Sequence, residues 1–135
     1  MDYTIKTTYV PNVQDGIALY LDAGWGNSAD YINLSENFEK AYQNSFFITV
    51  FHHEKLIGMT RYLSDGFHDT QILECVVLKE FQKQGIAKTM LNKIKELYPS
   101  SAIYIQTTNE YQDVFLKESF KKHHLVGMSY FKKNK

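Results

Sequence analysis

The sequence predicts an α/β fold, a mixed and mostly antiparallel sheet with helices packed on it. Three observations carry this. Segments with period-two alternation recur along the chain, helical spacings interrupt them, and one strand–helix–strand unit at residues 70–107 demands a parallel strand pair. At 135 residues the chain reads as one domain spanning 1–135, since two cores would each be too small.

The elements follow in order. Tyr3, Ile5, Thr7 and Tyr9 share one face of a first strand over 3–9, which Pro11 stops. Ile17, Tyr20 and Leu21 mark a helix over 13–23, and Gly24 suits its left-handed end. Asn33 with Glu36 resembles a capping box, opening a second helix to about residue 44 through Phe38, Ala41 and Tyr42. Residues 45–51 and 56–63 then form an antiparallel pair around a turn at 52–55, and Ser64-Asp65-Gly66 makes the next turn. The run ILECVVL within 70–78 suits a strand buried on both faces. Ile86, Met90, Leu91, Ile94 and Leu97 form the stripe of a helix over 85–98, with Pro99 behind it. A buried-type strand at 102–107, a short helix at 110–117 and one or two closing strands within 120–131 complete the chain.

Composition narrows the function. Fifteen basic residues balance fifteen acidic ones, which argues against a nucleic-acid footprint, and no apolar run approaches the roughly 20 residues of a membrane span. The single cysteine, Cys75, excludes an internal disulfide, and with no leader pattern the expected location is cytoplasmic. Arg61 stands alone among the lysines, a usage that genome composition explains better than chemistry does.

The informative stretch runs from Val77 to Ala87. A strand passes into a loop, and Gly85 and Ala87 open a helix whose first amides and positive dipole end would receive an anion such as a diphosphate. Lys83 and Lys88 add charge at the rim. An ordinary helix start using glycine for packing fits the same spacing. In context, however, Gln82, Gly85 and Ala87 resemble the coenzyme-A signature Arg/Gln-x-x-Gly-x-Gly/Ala of the GNAT superfamily of N-acetyltransferases. Asn109 and the run Phe115 to Phe120 resemble that family's second motif. Gly24-Trp25 and Leu56-Ile57-Gly58 extend the likeness over nearly the whole chain.

The resemblance implies a sheet whose parallel pair splays, with acetyl-coenzyme A in the opening and direct attack by a primary amine of a small molecule. It implies that the main chain of Cys75, Val76 and Val77 holds the pantetheine arm. Amides from Gln82 through Lys83, Gln84, Gly85, Ile86, Ala87 and Lys88 would cradle the diphosphate, with Asn109 beside the coenzyme. A main-chain N–H near Cys75 would serve as oxyanion donor. Phe115 stands where the family often has Tyr, and Ser119 where it has Gly, so either the thiolate leaves without a protein acid or Tyr111, Tyr104 or water substitutes. A catalytically weak acyl-coenzyme-A-binding sensor is the alternative that Phe115 favours.

Other residues carry two readings each. Glu74 is either a general base or a strand carboxylate paired with a cation such as Arg61. Asp65 is a turn former or a contact for a cationic substrate. Trp25, Tyr31 and Tyr62 line an acceptor pocket or pack in the core. The pairs His52-His53 and His123-His124 lack a third ligand at zinc spacing, so no metal is expected. A closing strand containing Tyr130 and Phe131 could support a homodimer.

Overall fold

A computed structural model describes residues 2–32 and 35–131. Its elements are β1 (Thr4–Lys6), α1 (Val13–Asp22), α2 (Ser28–Ile32), α3 (Ser35–Gln43), β2 (Phe46–His52), β3 (Lys55–Ser64), β4 (Asp69–Val77), a 3-10 turn (Lys79–Phe81), α4 (Ile86–Leu97), β5 (Ala102–Ile105) and α5 (Gln112–Lys117). The strands form one sheet in the order β1-β2-β3-β4-β5, antiparallel except for the parallel β4–β5 pair.

Alternation along β3 decides what each face carries. Gly58, Thr60 and Tyr62 meet α4: a Cβ on Gly58 would lie 3.0 Å from Ile86, Thr60 Oγ1 sits 3.4 Å from Met90 Sδ, and the Tyr62 and Tyr98 hydroxyls are 2.9 Å apart. Glycine at position 58 is what lets the helix approach. Arg61 points to the opposite face, where Tyr20 of α1 and Tyr42 of α3 cover the sheet. Ile48, Ile57, Met59, Met90 and Ile94 are completely buried between sheet and α4 or α1. Each such side chain contributes about 1.5–3 kcal/mol of burial.

Two irregularities shape β4. Arg61 pairs with Glu74 but Tyr62 pairs with Ile72, so Leu73 is an extra residue, a bulge. The β4–β5 ladder runs only from Asp69↔Ala102 to Ile72↔Ile105. Beyond it β4 continues to Val77 while the chain after Ile105 turns away, and the sheet splays.

Four expectations need correction. The first strand is shorter than residues 3–9, and α2 was not anticipated. It lacks an apolar period and is held by its cap, with Asn27 Oδ1 accepting from the Ala29 N–H at 3.0 Å and Asp30 Oδ2 accepting from the Asn27 N–H at 2.7 Å. The strands at β4 and β5 are not buried on both faces, because the splay and the open outer edge of β5 leave Leu73 and Tyr104 exposed. No closing strand forms among the described residues after Phe120. Asn33, the proposed cap of the second helix, lies outside the described residues.

Candidate active site

The splay opens a cleft of about 590 Å³ between the end of β4, the start of α4 and α5. Its lining includes Trp25, Cys75, Val76, Val77, Gln82, Lys83, Gly85, Ile86, Ala87, Lys88, Tyr111 and Phe115. Most of the residues singled out from the sequence therefore converge there. Ala23, Phe81, Asp113, Val114, Lys117 and Glu118 complete the wall and were not anticipated. Four of these six belong to the α5 turn region, whose helical spacing was legible but whose orientation was not.

Main chain dominates one side. The Leu78 N–H donates to the Ile57 carbonyl at 2.9 Å, which makes that pair a hydrogen-bonded rung of the β3–β4 ladder. By the alternation of an antiparallel ladder, the peptide groups of Val77 and Cys75 then face away from β3, toward the opening. The Gln82 side chain corroborates this direction, because its Nε2 donates to the Val77 carbonyl at 3.0 Å. Gln82 thus ties the loop to the strand through its side chain.

The other side is the start of α4. Gly85 is the N-cap at φ 84 and supplies no side-chain cap, so the first amides of a helix of 12 residues have no intrahelical acceptor. A Cβ on Gly85 would meet nothing within 4 Å, so open space lies in front of it. Lys83 also holds a positive φ, 64, a conformation that costs a non-glycine residue about 1–2 kcal/mol and that clusters at ligand-binding turns. Together with the Lys83 and Lys88 ammonium groups, this concave run of N–H groups fits a diphosphate.

Trp25 borders the cleft within an aromatic cluster, whereas Tyr31, part of the same cluster, is not among the lining residues. Trp25 stacks on Tyr20 at 5.7 Å between ring centroids, and Tyr31 lies 6.0 Å from Tyr20 and 5.7 Å from Phe38. The Trp25 N–H donates to the Tyr20 carbonyl at 2.9 Å and the Tyr31 hydroxyl donates to the Trp25 carbonyl, so the loop after α1 is fastened in place.

Glu74 has both oxygens engaged. Oε1 accepts from Arg61 Nε at 2.8 Å and Tyr20 Oη at 2.6 Å, and Oε2 accepts from the Arg61 Nη2 at 2.5 Å. Tyr42 in turn donates to Tyr20 Oη at 2.6 Å, since the Tyr20 proton is spent on Glu74. Arg61 Nη1 reaches Ser45 Oγ at 3.1 Å. A bidentate guanidinium and a phenol thus occupy both oxygens of the carboxylate. Of the two readings of Glu74, the pairing with Arg61 is present in the structure. Burial, then the neighbouring carboxylate, pushes the Tyr20 phenol well above its ordinary range.

Besides Glu74 and Tyr31, three other expected residues lie apart from the cleft. Asp65 Oδ1 accepts the main-chain N–H groups of His68, Phe67 and Asp69 at 2.7, 2.9 and 3.1 Å, which lower its pKa and commit it to the turn. Gln84 accepts a hydrogen bond from the Tyr3 hydroxyl and is exposed. Asn109 is exposed in the turn before Tyr111. Cys75 borders the cleft, but burial pushes its thiol up to about 11, so it carries no thiolate at neutral pH. No cluster of three metal-ligating side chains occurs among the described residues.

A bulged, splayed sheet with an uncapped helix facing the gap defines an acetyltransferase fold of the GNAT type. The chain belongs to the acetyltransferase (GNAT) family, whose sequence profile matches residues 13–117. It superposes on a GNAT-family acetyltransferase from Streptococcus pneumoniae TIGR4 with a TM-score of 0.80 and 21% identity, covering 98% of this chain and 99% of that one. A meticillin-resistant Staphylococcus aureus protein of unknown function, designated "Probable Acetyltransferase", gives a TM-score of 0.77 at 27% identity over 96% and 99%. Glucosamine-6-phosphate N-acetyltransferase from Arabidopsis thaliana shares the fold at a TM-score of 0.71 and 10% identity over 98% and 100%. No curated protein is a detectable relative by sequence.

Proposed function

We propose that this protein transfers the acetyl group of acetyl-coenzyme A to the primary amine of a small molecule in the cytoplasm, by direct attack. The observation that carries the reading is the pairing of an open β4 main chain with an uncapped, glycine-started α4 across one cleft. Bound acetyl-coenzyme A supplies an activated thioester carbonyl. The amides of Gly85 through Lys88, with the Lys83 side chain, hold its diphosphate. The outward peptide groups of Cys75 and Val77 take the pantetheine arm as a strand would, and an N–H there is the donor available to a developing oxyanion. The Trp25 and Tyr31 rings orient the hydrocarbon part of the amine. The amine nitrogen adds to the thioester carbonyl, its proton leaves to water at the mouth, and collapse of the oxyanion breaks the C–S bond and expels the thiolate. Phe115 has no proton to give, so Tyr111, whose side chain lines the same cleft, or water protonates the departing thiolate.

Thermal unfolding with and without acetyl-coenzyme A tests the binding half. At a hundredfold excess over Kd the ligand stabilises by about 2.7 kcal/mol, a rise of several degrees in Tm. Release of free thiol across a panel of primary amines tests the transfer half. No shift at saturating ligand would remove the coenzyme from the picture. A shift without thiol release from any amine would support the alternative that Phe115 suggests, an acyl-coenzyme-A-binding sensor.

A further inference from the structure

Asp22 is the last residue of α1 and stands where a helix least favours an acid. The negative end of the dipole lies there, and the last turn of α1 holds no basic residue to offset it. Its partner is remote in sequence: Asp22 Oδ2 accepts the main-chain N–H of Lys79 at 2.8 Å, across 57 positions. Lys79 opens the 3-10 turn between β4 and the start of α4, and the N-cap of that turn, Leu78, supplies no side-chain acceptor. Asp22 therefore caps, from another element, the turn that leads into the Gly85 amides.

The residues after Asp22 carry its position to the cleft, since Ala23 and Trp25 both line it. Gly24, at φ 81, closes α1 with the paired bonds of a Schellman motif. The Trp25 N–H donates to the Tyr20 carbonyl at 2.9 Å, and the Gly24 N–H to the Leu21 carbonyl at 3.0 Å. The Trp25 ring stacks on Tyr20, the side-chain contact that accompanies such a motif. Asp22 and Trp25 thus belong to one rigid corner. Other segments also tether the loop before α4, Lys55 of β3 to Glu80 at 3.3 Å and Tyr3 to Gln84, yet neither Lys55 nor Tyr3 leads into the cleft wall.

We propose that Asp22 is a positioning residue for acetyl transfer. By joining the Trp25 corner to the turn before the diphosphate loop, it fixes the distance between the ring that orients the amine and the coenzyme that carries the thioester. The inference rests on the acetyltransferase reading above. Asp22 is not among the residues that line the cleft, so it acts through the two segments it joins. Attack requires the reacting atoms to lie within about 3.5 Å of each other, so a corner that drifts costs turnover rather than binding.

Asp22→Asn keeps an oxygen able to accept the same N–H, and Asp22→Ala removes it. Neither change threatens α1, because each removes a charge that the helix dipole opposes. In Asp22→Ala, kcat with a primary amine, read by thiol release well below the Tm of the variant, should fall roughly tenfold, while KM for the amine and Kd for acetyl-coenzyme A stay within about twofold. Asp22→Asn should return kcat to within about threefold of the unmodified protein. A residue that only stabilised the fold would lower Tm and leave kcat per folded molecule unchanged. Hydrogen exchange on the unliganded protein reads the bond without activity: the Lys79 N–H should exchange roughly tenfold faster in Asp22→Ala. Unchanged kcat in Asp22→Ala, a loss that Asp22→Asn does not restore, a loss confined to KM or Kd, or unchanged Lys79 exchange would each overturn the role and leave the acetyltransferase reading standing. An unmodified protein that binds no acetyl-coenzyme A, or releases no thiol with any amine, would instead overturn that reading, and the role with it.

Discussion

Arg61 and Glu74 face each other across β3 and β4 with side-chain exposures of only 15% and 18%. Pairs so shielded are costly to break from one side, because the surviving charge is left without its counter-ion. Glu74→Gln should therefore destabilise the protein by about 3 kcal/mol in urea titration. If the carboxylate anchors rather than takes protons, the pH profile of kcat in the same variant should keep its acidic limb unchanged. Loss of that limb with stability intact would restore Glu74 as a base. The sequence could display both readings of this residue but not choose between them. The choice depends on a register in which Arg61 and Glu74 are opposite, and on Tyr20, a residue 54 positions away, reaching the same oxygen. Ser119 makes a related point. It holds φ 72, a left-handed conformation that glycine adopts without a Cβ penalty.

At the scale of elements, α4 and its preceding loop are the most informative. Its apolar stripe, its glycine start and the strand before it were all readable from spacing, and each is where the sequence placed it to within a residue or two. What spacing could not carry was the splay, which results from a bulge at Leu73 and from β5 stopping at Ile105. A bulge has no composition of its own. Gly85→Ala isolates the backbone requirement, since its Cβ meets no protein atom and strain is the only internal cost. Stability should fall by about 1 kcal/mol for a left-handed non-glycine residue. Affinity for acetyl-coenzyme A should fall roughly tenfold, or about 1.4 kcal/mol, measured by calorimetry. Unchanged affinity would separate the helix start from the diphosphate.

At the scale of the molecule, the interior is unusual in its phenols. Tyr20, Tyr42 and Tyr62 are buried, and burial raises each above the ordinary 10.0, with Tyr42 pushed up to about 12. Cys75 is raised in the same sense from 9.0 to about 11. A group whose folded pKa is raised favours the fold fully below its unfolded pKa, and that contribution drains as pH climbs toward the folded value. Tm should hold up to pH 9, decline as the unfolded thiol ionises, and fall more steeply above pH 10 as the unfolded tyrosines follow. A Tm that rises beyond pH 10 would contradict the buried tyrosine network.

The interrupted ladder between β4 and β5 has one more implication. On the proposed reading, the grip on the pantetheine arm comes from peptide groups, which every amino acid except proline supplies alike. Evolution would then be free to redraw the side chains of Cys75, Val76 and Val77 for packing, or for a new amine, without surrendering the coenzyme. What it could not do is lengthen β5 by a few residues, because a strand that reached Val77 would occupy the berth itself.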